Sequence, residues 1–121
     1  MSFDWAEYLC LAKHLRYRAT QKDGGEADLR SAISRAYYAA FCIAKNHLAS
    51  EGHDIPKRDT HKYVADQFKW DCERRGIGLE LDRLRGYRQK ADYDNVFSDA
   101  GDKVAFVIEG ADEVITEIRR L

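Results

Sequence analysis

Three observations predict an all-α fold, an antiparallel bundle of four to five helices. Apolar residues recur at alternating three- and four-residue spacing along almost the whole chain, the period of one helix face. Pro56 is the only proline among 121 residues, and β-branched runs are too few to build strands. The interruptions are short and carry glycine, aspartate or asparagine, which favours helices packed beside their sequence neighbours. The length suits one domain, residues 1–121, with no internal repeat or low-complexity tract.

The first helix is expected to start at a Ser2 or Asp4 cap and run to about Thr20, with Trp5, Tyr8, Leu9, Ala12 and Leu15 inward. Gly24 and Gly25 break it. The second helix should span Glu26 to Ser50 on a stripe of Leu29, Ile33, Tyr37, Ala40, Phe41, Ala44 and Leu48. Alanines at 36, 39, 40 and 44 let a neighbouring helix approach closely. EGHDIPKRD makes residues 51–59 a loop, and Asp59 or Thr60 can cap a third helix carrying Tyr63, Val64, Phe68 and Cys72. Gly76 and Gly78 are expected to end that helix. The fourth runs from Ile77 to Tyr93 and stops at Asp94-Asn95. The last begins at Ser98 or Asp99 and buries Val104, Val107, Ile108, Ala111, Val114, Ile115, Ile118 and Leu121.

A net charge of −1 excludes a general attraction to nucleic acid or membrane, so any anion site must be local. The N-terminus has no basic start followed by an apolar run, and no stretch approaches the ~18 apolar residues of a membrane span. Cys10, Cys42 and Cys72 are odd in number and lack a C-x-x-C pair. They read as small core residues of a protein in a reducing cytoplasm, with no membrane partner. No metal is expected: His14, His47, His53 and His61 lie apart, without H-E-x-x-H or Glu-x-x-His spacing. His61 reads as a structural residue near the cap of the third helix. The glycine pairs lack the context of a phosphate-binding loop, so no cofactor is expected either.

The fourth helix holds the residue that breaks the pattern. Ile77, Leu81, Leu84, Arg88 and Ala91 share one face, and only Arg88 among them is charged. A buried guanidinium costs several kcal/mol unless it is paired or faces a wet cleft. Arg83, Arg85, Arg88 and Lys90 crowd the helix without an intervening acid; Asp92, four residues after Arg88, is the nearby carboxylate. Either Arg88 and Asp92 form a structural pair, or Arg88 and Tyr93 border a pocket for a phosphate, which guanidinium grips in a bidentate fashion. On the second helix Tyr37 should face the core with Tyr38 flanking it. Arg35 lies off the apolar stripe, on a face it shares with Cys42, where it can reach a neighbouring helix.

RSAISRAYYAAFCIAKNHL (30–48), followed by LRGYRQKADYDN (84–95), resembles the HEPN superfamily, and THKYVADQF (60–68) extends the likeness over nearly the whole chain. These are small all-helical domains, often paired with nucleotidyltransferases in bacterial and archaeal toxin–antitoxin and defence loci. Active members are metal-independent ribonucleases with an Arg-x4–6-His motif, brought together from two protomers across a dimer cleft. The RNA 2′-hydroxyl is the nucleophile, histidine transfers the proton and arginine holds the phosphate. Arg88 matches the motif's arginine, but five residues on stands Tyr93, and positions 89 to 95 contain no histidine.

The resemblance therefore implies Arg88 and Tyr93 as catalytic residues of a degenerate motif, with Arg85, Arg88, Asp92 and the more distant Arg35 binding RNA or a nucleotide. Two functions stay open beside a blander reading, a helical bundle of no chemistry whose seam arginine only fixes helix register. One is an RNA-associated toxin–antitoxin or defence component, a homodimer that would act, if active, as a metal-independent endoribonuclease. The other is a non-catalytic dimeric module partnering a nucleotidyltransferase-type antitoxin, in which Arg88 and Asp92 form an interface or structural ion pair.

Overall fold

A computed structural model describes residues 2–121. Its five helices are α1 (Ala6–Ala19), α2 (Glu26–Ser50), α3 (Thr60–Lys69), α4 (Arg75–Tyr93) and α5 (Ala100–Arg119), with no strand among the described residues. The Asp4 carboxylate accepts the Ala6 N–H at 3.0 Å and caps α1. Asp28 reaches back to the Gly25 N–H at 3.3 Å at the start of α2.

α2 is the central helix and touches all four others. Its alanines at 32, 36, 39, 40 and 44 are fully buried, which lets the flanking helices approach, while Ile33, Tyr37, Phe41 and Leu48 fill the spaces between them. α5 contributes Val104, Val107, Ile108, Ala111, Val114, Ile115 and Ile118 to the same core. Two ion-pair groups tie the periphery. Arg74 grips Glu51 through two hydrogen bonds of 2.7 and 2.8 Å, and Lys69 bridges Asp66 on α3 to Asp82 on α4. No helix among the described residues is long and apolar enough to cross a membrane.

Four expectations need correction. Gly76 and Gly78 do not end α3, which stops at Lys69; both lie in the first turn of α4, which begins at Arg75 rather than Ile77. Gly78 sits where α3 and α4 press together, and a Cβ there would stand 2.5 Å from the Ala65 carbonyl oxygen. The glycine thus marks a close helix crossing, not a helix terminus. Cys72 falls in the intervening turn and is exposed, as is Cys10, so only Cys42 is a core thiol. Leu121 lies beyond the end of α5 and is exposed too. Trp5, Tyr8, Leu15, Leu29 and Tyr63 pack against the core without being fully buried.

One arginine places the end of α4. Arg30 of α2 donates to the carbonyl oxygens of Ala91 at 3.1 Å and Asp94 at 2.6 Å, with its guanidinium over the Phe97 ring. The last carbonyls of a helix have no partner within it, so this cation closes the helix and opposes the negative end of its dipole. It thereby fixes the turn that carries Arg88, Asp92 and Tyr93.

Candidate functional site at the arginine seam

Arg88 retains only 6% of its surface in contact with solvent. Its guanidinium carbon lies 5.7 Å from the Tyr37 ring centre, 5.4 Å from Tyr38 and 5.8 Å from Tyr93, so three π faces surround one cation. Asp92 approaches one terminal nitrogen at 3.5 Å, an ion-pair distance too long for a strong hydrogen bond. That carboxylate also accepts the Ser34 hydroxyl at 3.2 Å. The charge is therefore only partly satisfied. The Nε of Arg88 is buried without a hydrogen-bond partner, and so is the Nε of Arg85, one turn earlier on the helix. Such donors are costly to leave unpaired.

A histidine joins the two arginines. His61, at the start of α3, places its Nδ1 2.5 Å from the Tyr37 hydroxyl and stacks on Phe41 with ring centres 4.2 Å apart. Burial first, then the charges of Arg85, Arg88 and Lys45, pull its pKa down to about 4, so the imidazole is neutral near pH 7. Burial drives the Tyr37 phenol upward, with Arg85 and Arg88 opposing it. With the phenol protonated and the imidazole neutral, one proton lies between Tyr37 Oη and His61 Nδ1. Lys45 and the two arginines thus set up a positive potential around a neutral base.

A groove of about 370 Å³ adjoins this cluster, bordered by Trp5, Tyr8, Arg35, Tyr38, Phe41, Cys42 and Lys45. Tyr38 and Phe41 belong to both: one faces Arg88, the other stacks on His61. Arg35 is exposed and holds its guanidinium 5.1 Å from the Tyr8 ring. None of the ion pairs among the described residues includes Arg35, Lys45 or Arg85. The groove therefore combines aromatic rings with cations that no carboxylate neutralises.

A family model for the HEPN domain matches residues 13–121, nearly the whole chain. The chain belongs to the HEPN-domain family. No curated protein and no solved structure matches it significantly. Within this HEPN domain, Arg85, Arg88, Asp92 and Tyr93 gather at the C-terminal half of α4, whereas Arg35 stands apart on α2, in the groove that none of those four lines. Tyr93 is 74% exposed although its ring lies over Arg88.

His61, Tyr37, Tyr38 and Lys45 complete the cluster around the arginines, and no spacing along the chain assigned them to it. His61 is not the isolated cap residue it resembled. Its neighbours come from α2 and α4, and the juxtaposition exists only once α3 folds against both. The one available signal was compositional: a histidine two residues into an amphipathic helix, in a chain whose arginine motif has no histidine of its own.

Proposed function

We propose that this HEPN domain is an RNA-associated component of a toxin–antitoxin or defence system, cytoplasmic and homodimeric, which holds the RNA backbone at Arg85 and Arg88. The observation that carries it is the pair of arginine Nε–H donors left without an acceptor, joined through Tyr38 to a basic, aromatic groove that Arg35 and Lys45 line. A phosphodiester at the half-buried Arg85 guanidinium supplies the opposite charge, and the solvent-closed Nε–H groups gain an acceptor as the side chains turn outward to meet it. Arg35 and Lys45 lie along the groove, where a single strand would track its phosphates past the rings of Trp5, Tyr8 and Tyr38. Tyr93, open to solvent with its ring over Arg88, would stack a base.

If the domain cleaves RNA, the reaction needs no metal in this reading. The 2′-oxygen attacks phosphorus as its proton passes to a base, the bond to the 5′-oxygen breaks as that oxygen takes up a proton, a 2′,3′-cyclic phosphate is left, and the arginines stabilise the charge on the non-bridging oxygens. The Arg88–Asp92 pair at 3.5 Å favours a second reading, a non-catalytic dimeric module that holds a nucleotidyltransferase, with that pair structural.

The test is RNA affinity by fluorescence anisotropy and cleavage in chelator, for wild type beside Arg88→Ala, with sedimentation of the same preparations. The expected outcome is a dimer whose RNA affinity falls at least about tenfold in the variant, the loss of one charge-assisted hydrogen bond, while its melting curve changes little. Equal binding by the two proteins refutes the phosphate site. Equal binding with lower stability leaves the structural pair as the answer, and a wild-type monomer at micromolar concentration refutes the dimer.

A further inference from the structure

We propose that RNA entering the Arg85–Arg88 pair is bound together with one proton, and that His61 is the group that takes it. The inference rests on the assignment of an RNA phosphate to that pair and adds to it the linked protonation.

The geometry puts His61 in a buried setting between α2 and α4, where burial is the first cause of its neutrality and the surrounding cations add to it. From α2 it meets the Tyr37 hydroxyl at 2.5 Å, the rings of Tyr38 and Phe41, and the charge of Lys45. From α4 it meets the charges of Arg85 and Arg88. The carboxylate nearest this set, Asp92, is engaged with Arg88 and Ser34 and makes no hydrogen bond to the imidazole. The free site thus contains three fixed cations around a base, which disfavours a fourth positive charge. A phosphodiester at the guanidinium groups offsets part of that field, one negative charge set against three positive ones. The imidazole becomes a better base, and a proton passes from solvent to its ring. No covalent bond between heavy atoms is made or broken. Tyr37 keeps the ring oriented in both states, because its hydroxyl oxygen can accept from Nδ1–H as readily as its O–H can donate to the bare nitrogen.

Linkage fixes the sign. A proton taken up on binding makes affinity rise as pH falls, by up to about tenfold per pH unit where a full proton is exchanged. The effect fades below the pKa of the free site, where the imidazole is already charged before RNA arrives. A 2′-O-methyl oligouridylate is the suitable probe. It lacks the nucleophile for cleavage, and uridine carries no group that titrates near neutrality.

The experiment is calorimetric titration of the intact protein with this oligonucleotide near pH 6, in two buffers of unlike ionisation enthalpy. The expected result is net proton uptake by wild type, and weaker binding without uptake by His61→Gln. In parallel, the ring proton resonance of His61 in the wild-type protein should move toward its imidazolium position as oligonucleotide is added. That second measurement stands even if the variant folds poorly. Binding with no proton uptake and an unmoved His61 resonance overturns the inference while leaving the phosphate site intact, as does unchanged uptake in His61→Gln. No binding by wild type removes the phosphate site and this inference together.

Discussion

The N-terminal half of α4 fills its inward positions with Ile77, Leu81 and Leu84, whereas the C-terminal half continues the same face with Arg88 and Ala91. Both halves are buried, and both belong to one helix. The first meets α3 so closely that a glycine is needed, since a Cβ on Gly78 would meet the Ala65 carbonyl, and it meets α5 at Gly110, where a Cβ would press only on the movable side-chain ends of Glu80, Arg83 and Leu84. The second faces tyrosines, a histidine and unpaired N–H groups. Close packing without strain leaves no reason to posit a ligand. A buried cation with an unused donor does, because folding alone would favour replacing it by leucine. The contrast separates what holds the bundle together from what the bundle presents.

Substitutions should affect the two halves differently. Leu84 is fully buried in the apolar half, and Leu84→Ala should cost about 2–5 kcal/mol in denaturant unfolding, through lost transfer energy and the cavity left behind. RNA affinity of the folded fraction should stay close to wild type. Arg88→Ala should do the reverse, and if both variants lost stability and affinity alike, the division of the helix would be wrong.

A smaller effect appears in acid. His61 is held at about 4 in the fold against 6.5 for an unperturbed imidazole, so between those values the unfolded chain binds a proton that the folded chain does not. Stability present above pH 6.5 is therefore lost as pH falls toward 4, and this group adds no further loss below it. Glu51 and Asp66, whose pKa values are lowered by Arg74 and by Lys62 with Lys69, lose their contribution only below the ordinary carboxylate values of 4.5 and 3.8. Thermal melts between pH 7 and pH 5 thus isolate His61 from the surface carboxylates. The melting temperature of wild type should fall across that interval, and that of His61→Gln should stay nearly level.

The helices were legible because their apolar residues keep one period over many turns, and Glu26–Ser50 is the clearest case. The α3–α4 junction was not, because a glycine that permits two helices to touch is the same letter as one that ends a helix. Gly78 is distinguished only by what lies opposite it. Arg88 was legible for the same reason as the helices: a charge on an apolar stripe stands out against the period. Its partners were not. Tyr37 and His61 are 24 positions apart, and their hydrogen bond depends on how α3 crosses α2, which no local pattern encodes. Cys72 and Leu121 illustrate the converse, since each continues an apolar rhythm past the point where its helix has stopped.

The smallest expected effect concerns Tyr93, which stands five residues after Arg88, where the proposed ribonuclease motif would carry a histidine. It is exposed, it lies 5.8 Å from the Arg88 guanidinium, and none of the side-chain hydrogen bonds seen around Arg88 involves its hydroxyl. A ring that stacks on a base and a phenol that transfers a proton respond differently to losing one oxygen. Tyr93→Phe keeps the π face and should leave RNA affinity and any cleavage rate unchanged. Tyr93→Ala removes the face and should weaken affinity by about 1–3 kcal/mol, the usual range for one stacked base. If phenylalanine instead abolished a cleavage that wild type performs, Tyr93 would be the proton-transfer group. The chemistry would then lie at the exposed end of the seam, and His61 would serve only the binding of the phosphate.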